Sequence, residues 1–299
     1  MATKSEAFDH SKSAPPVRQD LIKKQKRTIV LSRIRDMVST PNLTPFSITK
    51  IANACAATLP PAQFAHLLQK PNIEGHTVLY WSIVNHGREA FSALATFIPQ
   101  FTPACSSDLR LACISTSDHE LFMQLKLGYV VDPEDESLRR FLGCPPDEVQ
   151  VYFVARHTPQ KSEFGACFCI RMFQKRLRAT HPTGALGMEF IAGGRIWLLE
   201  LHMKEGQWCI EFSLSEDSLP ASVDFAMLVI EAPSGKTALE DIRIPHSNTK
   251  FTITPSTGIL EASQSYNMFY WSLGDWLIND KTMLDCDGTL HAKLELTST

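Results

Sequence analysis

The sequence predicts an α+β fold, in which a helical N-terminal region is followed by a C-terminal antiparallel β-sandwich. Hydrophobic residues recur with helical spacing as far as about residue 142, and from Val149 onwards apolar and polar residues alternate. A chain of 299 residues is long enough for two domains. The predicted organisation is a disordered tail over residues 1–17, a helical domain over 18–142 and a β-sandwich over 143–299.

Charge is distributed unevenly along the chain. The net charge is −3, and residues 1–40 contain nine Lys or Arg and four Asp or Glu, a net of +5, so the remainder carries −8. This balance argues against a protein that binds nucleic acid over its whole surface. The polar N-terminus and the lack of a run of about 18 apolar residues predict a cytoplasmic protein without a membrane partner, with nuclear entry as the alternative.

The first predicted element is an amphipathic helix over residues 20–38. Val30, Ile34 and Met37 share one face because they follow the spacing i, i+4, i+7, and a proline at position 41 ends the pattern. Four cations lie near the N-terminal end, where the helix dipole does not favour them: Lys23, Lys24, Lys26 and Arg27. This basic patch is interpreted as a solvated face, or else as a nuclear-import or phosphate-binding segment.

Three pairs of short helices are predicted next, between Thr44 and Leu127. Their apolar stripes recur about every 30 residues, as Ala52, Ser82 and Ala112 illustrate. Units of this kind cannot bury their own apolar faces, so they typically stack into an array.

The opening of the second pair, residues 74–87, resembles the Gly-x-Thr-Pro-Leu-His-x-Ala start of an ankyrin repeat. The resemblance implies that Gly75 forms the turn and Thr77 the helix cap. Val78 and Tyr80 stand where the family has Pro and His. We therefore expect a degenerate ankyrin-like array over about 85 residues, and the alternative is an irregular helical bundle.

A linker is predicted between the helices and the strands, because the acidic run from Asp132 to Glu136 is followed by a short helical piece and by two prolines. Beyond it the period changes to two, which indicates half-buried strands. The clearest alternations lie at residues 149–153, 168–172, 208–214 and 290–296. Residues 223–230 are apolar on both faces except for Asp224, so a central strand is expected there. Short strands at this spacing without a long helix between them indicate an antiparallel sandwich.

The order of landmarks in this half resembles the MATH domain, the sandwich of meprins and TRAF adaptors. Residues 190–197 match the family motif Phe-x-x-Gly-Gly-x-x-Trp, with Gly193, Gly194 and Trp197 in place. The resemblance covers about 135 residues and implies a short helix near residues 273–278. It also places a peptide groove around residues 266–268, where the family's Trp-Gly-Phe segment is absent.

A second basic cluster follows the predicted strand at residues 168–172. It comprises Arg171, Lys175, Arg176 and Arg178. It is interpreted as a polar loop, and the alternative is a contact with an acidic partner or RNA, with Phe173 available for stacking.

Two motifs resemble phosphate chemistry but lack its structural context. Asp285 to Thr289 has the Asp-x-Asp-Gly-Thr pattern of a phosphatase nucleophile, yet it precedes the last strand, so a turn is predicted. Ser234 to Thr237 resembles part of a P-loop without its first glycine. His202 and His291 lie in strand patterns without an obvious carboxylate partner. The eight cysteines are scattered, which predicts reduced thiols; we expect no catalytic residue, cofactor or metal site.

The predicted function is a non-enzymatic adaptor that binds a protein or peptide partner. Tyr266, Met268 and Tyr270 are the candidate partner-binding residues, because aromatic side chains crowd into a strand that must show one face outward, whereas Trp271 is expected to enter the core. The alternatives are a nucleic-acid role for the basic helix and an uncharacterised hydrolase. The sequence leaves the oligomeric state open.

Overall fold

The computed structural model describes residues 16–41, 43–153, 162–180, 184–204, 206–233, 240–245, 251–255, 268–273 and 282–298. Helices fill the N-terminal half and antiparallel sheets the C-terminal half, which confirms the predicted α+β fold class. The chain forms two compact units that divide between Leu109 and Arg110.

Helices build the described part of the first unit. They are α1 (Pro16–Ser39), α2 (Pro45–Ala56), α3 (Pro61–Leu68), α4 (Val78–His86) and α5 (Arg88–Ala95), and α6 (Pro103–Thr116) contains the division point. The helix predicted for residues 20–38 and the paired helices are confirmed, but the helix buries an apolar face only in its C-terminal half, because residues 20–29 are all exposed. Val30, Ile34 and Met37 are buried as their spacing predicts.

The turn before α4 has the predicted form. Ile73 and His76 exchange backbone hydrogen bonds of 3.1 and 2.9 Å, and Gly75 between them has φ +84°. The Thr77 hydroxyl caps α4 by accepting the amide of Tyr80 at 3.1 Å. These contacts fix where the helix begins.

The second unit contains short helices and strands. The helices are α7 (His119–Gln124), α8 (Pro133–Leu142) and α9 (Phe173–Thr180). The strands are β1 (Glu148–Phe153), β2 (Ser162–Ile170), β3 (Leu186–Ala192), β4 (Arg195–Lys204), β5 (Gln207–Leu214), β6 (Ala221–Ile230), β7 (Ile242–Pro245), β8 (Phe251–Ile253), β9 (Met268–Leu273) and β10 (Leu290–Ser298).

The strands form two sheets around one hydrophobic core. The first sheet has the order β1-β2-β10-β6-β7, with β8 also paired to β6, and the second has the order β3-β4-β5-β9. Each of these neighbouring strand pairs is antiparallel. Phe168 of the first sheet contacts Phe190 and Phe212 of the second, with ring centroids 5.4 and 5.9 Å apart. The facing sheets confirm the predicted antiparallel architecture, and β6 occupies the central place expected of it.

Gly193 and Gly194 form a tight turn between β3 and β4. Their φ angles are +57° and +69°, and Ala192 pairs with Arg195 directly across the turn. A two-residue hairpin with positive φ at both positions strongly favours glycine, because its backbone twist matches that of the flanking strands. Trp197 then enters the core fully buried.

The prediction that β5 is half-buried was wrong. Cys209, Glu211 and Ser213, which alternate with the core residues, are themselves at most 8% exposed. Both faces of β5 are therefore covered, and its internal place in the sheet is not the cause, because β10 also lies between two strands and keeps its alternating burial.

Arg110, in the second unit, is a buried cation that sequence analysis missed. Its guanidinium is 1% exposed and donates to both carboxylate oxygens of Glu189 at 2.7 and 3.1 Å, and to Asp217 at 3.1 Å. It also donates to the carbonyl oxygen of Leu127 at 2.7 Å and stacks on the ring of Tyr129 at 3.8 Å. These contacts hold the end of α6 and the segment after α7 against β3.

The predicted linker and the predicted basic loop are both wrong, and one ion-pair cluster explains why. Residues 133–142 form α8 and residues 173–180 form α9. Arg176 of α9 is 1% exposed and donates to Asp135 at 2.9 and 2.6 Å and to Asp147 at 2.8 and 2.9 Å. Because Asp135 and Asp147 both bind Arg176, α8 and the segment after it belong to the second unit. The change from helices to strands falls where it was predicted, between Leu142 and Glu148, while the two compact units divide near Leu109.

Candidate partner-binding edge

Strand β9 lies at the end of the sheet β3-β4-β5-β9. Its backbone pairs with β5 from Met268 opposite Ser213 to Leu273 opposite Trp208. Within the described parts of the chain, β5 is the strand that β9 pairs with. A terminal strand carries backbone N–H and C=O groups that can pair with a further strand.

The predicted partner-binding residues fall on this strand or just before it. Met268 and Tyr270 lie in β9, opposite Ser213 and Glu211 in the backbone register. Tyr266 lies outside the described residues. Of the helix predicted for residues 273–278, Leu273 is instead the last residue of β9, and the rest lies outside the described residues. Trp271 is 4% exposed and its ring lies 5.6 Å from that of Phe212, so its predicted core position is confirmed.

Glu211 places a buried carboxyl group beside the edge strand. Burial raises the pKa of its carboxyl group, the imidazole of His202 opposes that rise, and Glu200 adds to it. His202 Nε2 lies 3.6 Å from a Glu211 oxygen, and His202 Nδ1 lies 3.7 Å from Glu200. The expectation that His202 lacks carboxylate partners was therefore wrong. Glu211 thus places a buried carboxyl group with a raised pKa opposite Tyr270 in the backbone register.

His119 connects the edges of the two sheets at β1 and β3. Its Nε2 lies 3.0 Å from the carbonyl oxygen of Val149, and its Nδ1 accepts the amide N–H of Ile191 at 3.2 Å. A backbone amide can only donate, so Nδ1 carries no proton and the proton must be on Nε2. Burial lowers the pKa of this imidazole, which agrees with a neutral ring. No sequence pattern pointed to this residue.

The predicted basic patch lies on α1 in the first unit. Lys23, Lys24, Lys26 and Arg27 are all exposed, and Lys23 lies 3.9 Å from Asp20. An exposed ion pair at this distance contributes little. The patch is therefore available for contact with an anion.

The phosphatase-like motif forms the predicted turn before β10. Asp285 and Thr289 are linked through the backbone, with the Asp285 amide donating to the Thr289 carbonyl at 3.0 Å. The Asp285 carboxylate bonds His291 Nε2 at 2.9 Å, so the expectation that His291 lacks a carboxylate partner was also wrong. The pKa of Asp287 is lowered, first by its hydrogen bonds to Thr289 and then by Arg171.

The same turn borders a surface cleft in the second unit. Its volume is about 680 Å³, and its lining includes Lys175, Asp285, Cys286 and Asp287. Titratable groups thus meet within hydrogen-bond reach beside a cleft, although the motif is in an antiparallel sheet and not at the end of a parallel strand. The Ser234–Thr237 motif lies outside the described residues.

All eight cysteines are free thiols, as predicted. Among the described residues, no group of three or more His, Cys, Asp or Glu is arranged to hold a metal ion. None of the helices in the described part combines the length and the apolar character that crossing a bilayer requires. The chain matches no protein-family model, and no curated protein is similar to it in sequence.

Proposed function

We propose that this chain is a protein-interaction adaptor without enzymatic activity, and that β9 binds an extended segment of a protein partner by strand addition. The observation that carries the proposal is the terminal place of β9, whose six residues pair with β5 along one side. Strand addition obtains affinity from main-chain hydrogen bonds and specificity from alternate side chains. Tyr266, Met268 and Tyr270 are the side chains proposed to provide that specificity.

The other sheet edges are less suited to strand addition. His119 already uses the outward carbonyl of Val149 on β1 and the outward amide of Ile191 on β3. In the described residues, β7 is four residues long and ends at Pro245, and β8 has three residues. Strand β9, with six residues, is therefore better suited to strand addition than these strands.

The two family resemblances support the same kind of function. The Gly193-Gly194 hairpin leading to a buried Trp197 is consistent with a MATH-like sandwich, and the capped turn at Gly75 and Thr77 with an ankyrin-like array. Both families implied by these resemblances bind proteins, so the helical array is proposed as a second docking surface.

A proline scan of β9 combined with proximity labelling in cells tests the proposal. Along an antiparallel edge, alternate N–H groups point to the neighbouring strand and away from it. Proline at Met268, Phe269 and Tyr270 in turn will therefore lower the thermal midpoint where the N–H bonds β5. Where the N–H points away, we expect an unchanged midpoint and loss of the labelled partners. Tyr270→Ala and Met268→Glu test the side chains in the same assay.

The proposal fails if every variant that keeps a normal midpoint also keeps the wild-type partner list. Pro at Val151 on β1 serves as the matched edge control, because its N–H points away from β2 as the carbonyl of Val149 does. Loss of the same partners in a stable Val151 variant would move the site from β9 to β1.

Hydrolysis is the second candidate function, because Asp285 and His291 are hydrogen-bonded beside the 680 Å³ cleft. The test is turnover of p-nitrophenyl phosphate and p-nitrophenyl acetate by the full chain, with and without magnesium. The adaptor proposal expects rates equal to the buffer blank. Turnover that is lost in Asp285→Asn, with a change at the exposed Asp36, Asp36→Asn, as an unaffected control, would establish an enzyme.

A further inference from the structure

The first half of α1 differs from the second half in its surroundings. Every residue from Asp20 to Ile29 is exposed, whereas Val30, Ile34 and Met37 are at most 2% exposed. Helix α1 thus packs with its C-terminal half and presents residues 20–29, here called the exposed segment, to solvent.

The apolar stripe changes face between the two halves. At about 100° per residue, Leu21, Ile22 and Ile29 lie within one sector of about 100°. Lys23 and Lys26 lie instead in line with Val30, seven and four residues further along. The apolar side chains of the exposed segment consequently point away from the direction in which the helix packs. They are 63%, 47% and 45% exposed.

The charge of the exposed segment identifies the chemistry of its occupant. The segment carries four cations against the single acid Asp20, so two copies of it would repel each other. A nucleic acid would satisfy the cations but would leave Leu21, Ile22 and Ile29 in water. The occupant must therefore combine negative charge with an apolar interior.

A protein groove is a poor match for this face. Helices that bind in grooves use apolar anchors at i, i+3 or i+4, and i+7. Between Ile22 and Ile29 those intermediate positions are Gln25 and Lys26. At a bilayer surface the same two side chains can extend to the headgroups while the apolar residues enter the acyl boundary.

We propose that the exposed segment binds the surface of an anionic lipid bilayer and so brings the adaptor to a membrane. Leu21, Ile22 and Ile29 enter the interface, and Lys24 and Lys26, which flank the apolar sector, contact the headgroups. The sequence expectation of no membrane partner rested on the lack of a spanning segment, and surface binding does not need one. The proposal goes beyond the proposed function and does not depend on β9.

The test is flotation of the full chain with vesicles of phosphatidylcholine, alone or with about 30 mol% phosphatidylserine. We expect binding to the anionic vesicles, weaker binding at high salt, and none to the neutral ones. Each change of a segment cation to glutamine should lower partitioning about fivefold. Leu21→Gln, Ile22→Gln and Ile29→Gln together should lower it by about tenfold or more, with an unchanged thermal midpoint.

Matched controls come from exposed side chains elsewhere in the chain. The apolar control replaces Phe46, Phe141 and Leu219 with glutamine, since these are 77%, 86% and 74% exposed. The charge control replaces exposed lysines with glutamine one at a time, at Lys50, Lys70, Lys126 and Lys175, so that each control changes the net charge as one segment variant does. Both controls should float as wild type does.

Three results would overturn the proposal. The first is an absence of flotation with anionic vesicles, and the second is an equal loss in the matched controls. The third is wild-type flotation by the apolar triple variant, because binding would then need the cations alone. If the apolar triple variant floats as wild type does, a generic RNA duplex is added as a competitor. Displacement of that variant from the vesicles would show that the segment binds phosphate groups through its cations alone.

Discussion

Protonation of His119 should release the tie between β1 and β3. The neutral ring donates from Nε2 to Val149 and accepts at Nδ1 from Ile191, with distances of 3.0 and 3.2 Å. A proton on Nδ1 would place two donors face to face, so the charged ring cannot keep the bond to Ile191. Acidification is therefore the perturbation that tests this contact.

The size and direction of the effect follow from the lowered pKa of His119. Burial lowers its folded-state pKa below the usual 6.5, against the opposing charges of Asp118 and Glu120. Below pH 6.5 the unfolded chain binds a proton that the folded chain does not, so acid destabilises the fold. The free energy of unfolding should fall by at most about 1.4 kcal/mol per pH unit from pH 6.5 down to the folded-state pKa, and then level off.

His119→Gln provides the control, because glutamine offers one acceptor and one donor and does not titrate. Urea unfolding followed by circular dichroism between about pH 7.5 and pH 5 gives the stability of both proteins. The difference between the two curves should be flat above pH 6.5 and should fall below it. A difference that does not change with pH across this range would refute the assignment of a neutral, bridging imidazole.

Further predictions concern buried contacts. Arg110→Met leaves the buried Glu189 carboxylate without its cation, so the free energy of unfolding in urea should fall by about 3–5 kcal/mol. The double variant with Glu189→Gln should recover part of that loss. A loss below about 1 kcal/mol would contradict the contact. Gly165→Ala should cost about 1–3 kcal/mol, because the added Cβ would overlap the Tyr152 ring. The cost should vanish in a Tyr152→Ala background, and its persistence there would contradict the overlap. Thr44→Ala removes the cap of α2 and should lower stability by about 1 kcal/mol, whereas Thr44→Ser should not.

Hydrophobic periodicity was sufficient to predict the fold class. The i, i+4, i+7 spacing of Val30, Ile34 and Met37 is imposed by the helix itself, and all three are buried. In β10 the alternation of residues 290–296 likewise matches burial at every second position. These patterns are local, because each depends on the geometry of one element, and a sequence displays them directly.

Charged residues misled the prediction for the opposite reason. Arg176 sits in a run of cations that resembles a surface loop, yet it binds Asp135, 41 residues earlier. Arg110 binds Glu189, 79 residues later. Burial of such a cation is favourable only when its partners arrive from elsewhere in the fold, and one sequence does not indicate which acid will be adjacent. The false linker at residues 132–146 followed directly, since its acids appeared to be solvated.

The candidate edge strand β9 depends on a local pattern and on a contact between residues that are distant in the sequence. The alternation in residues 268–273 is local, and the buried Trp271 and Leu273 with the exposed Ser272 between them agree with it. The place of β9 in its sheet is not local, because β9 follows β8 in the chain but pairs with β5, more than fifty residues earlier. Strand addition needs the terminal place of the strand as well as the alternating side chains, because an outward-facing aromatic residue in a central strand has no free main-chain groups beside it. The proline scan of β9 therefore tests main-chain availability separately from the side chains, and the two sets of variants should lose the same partners.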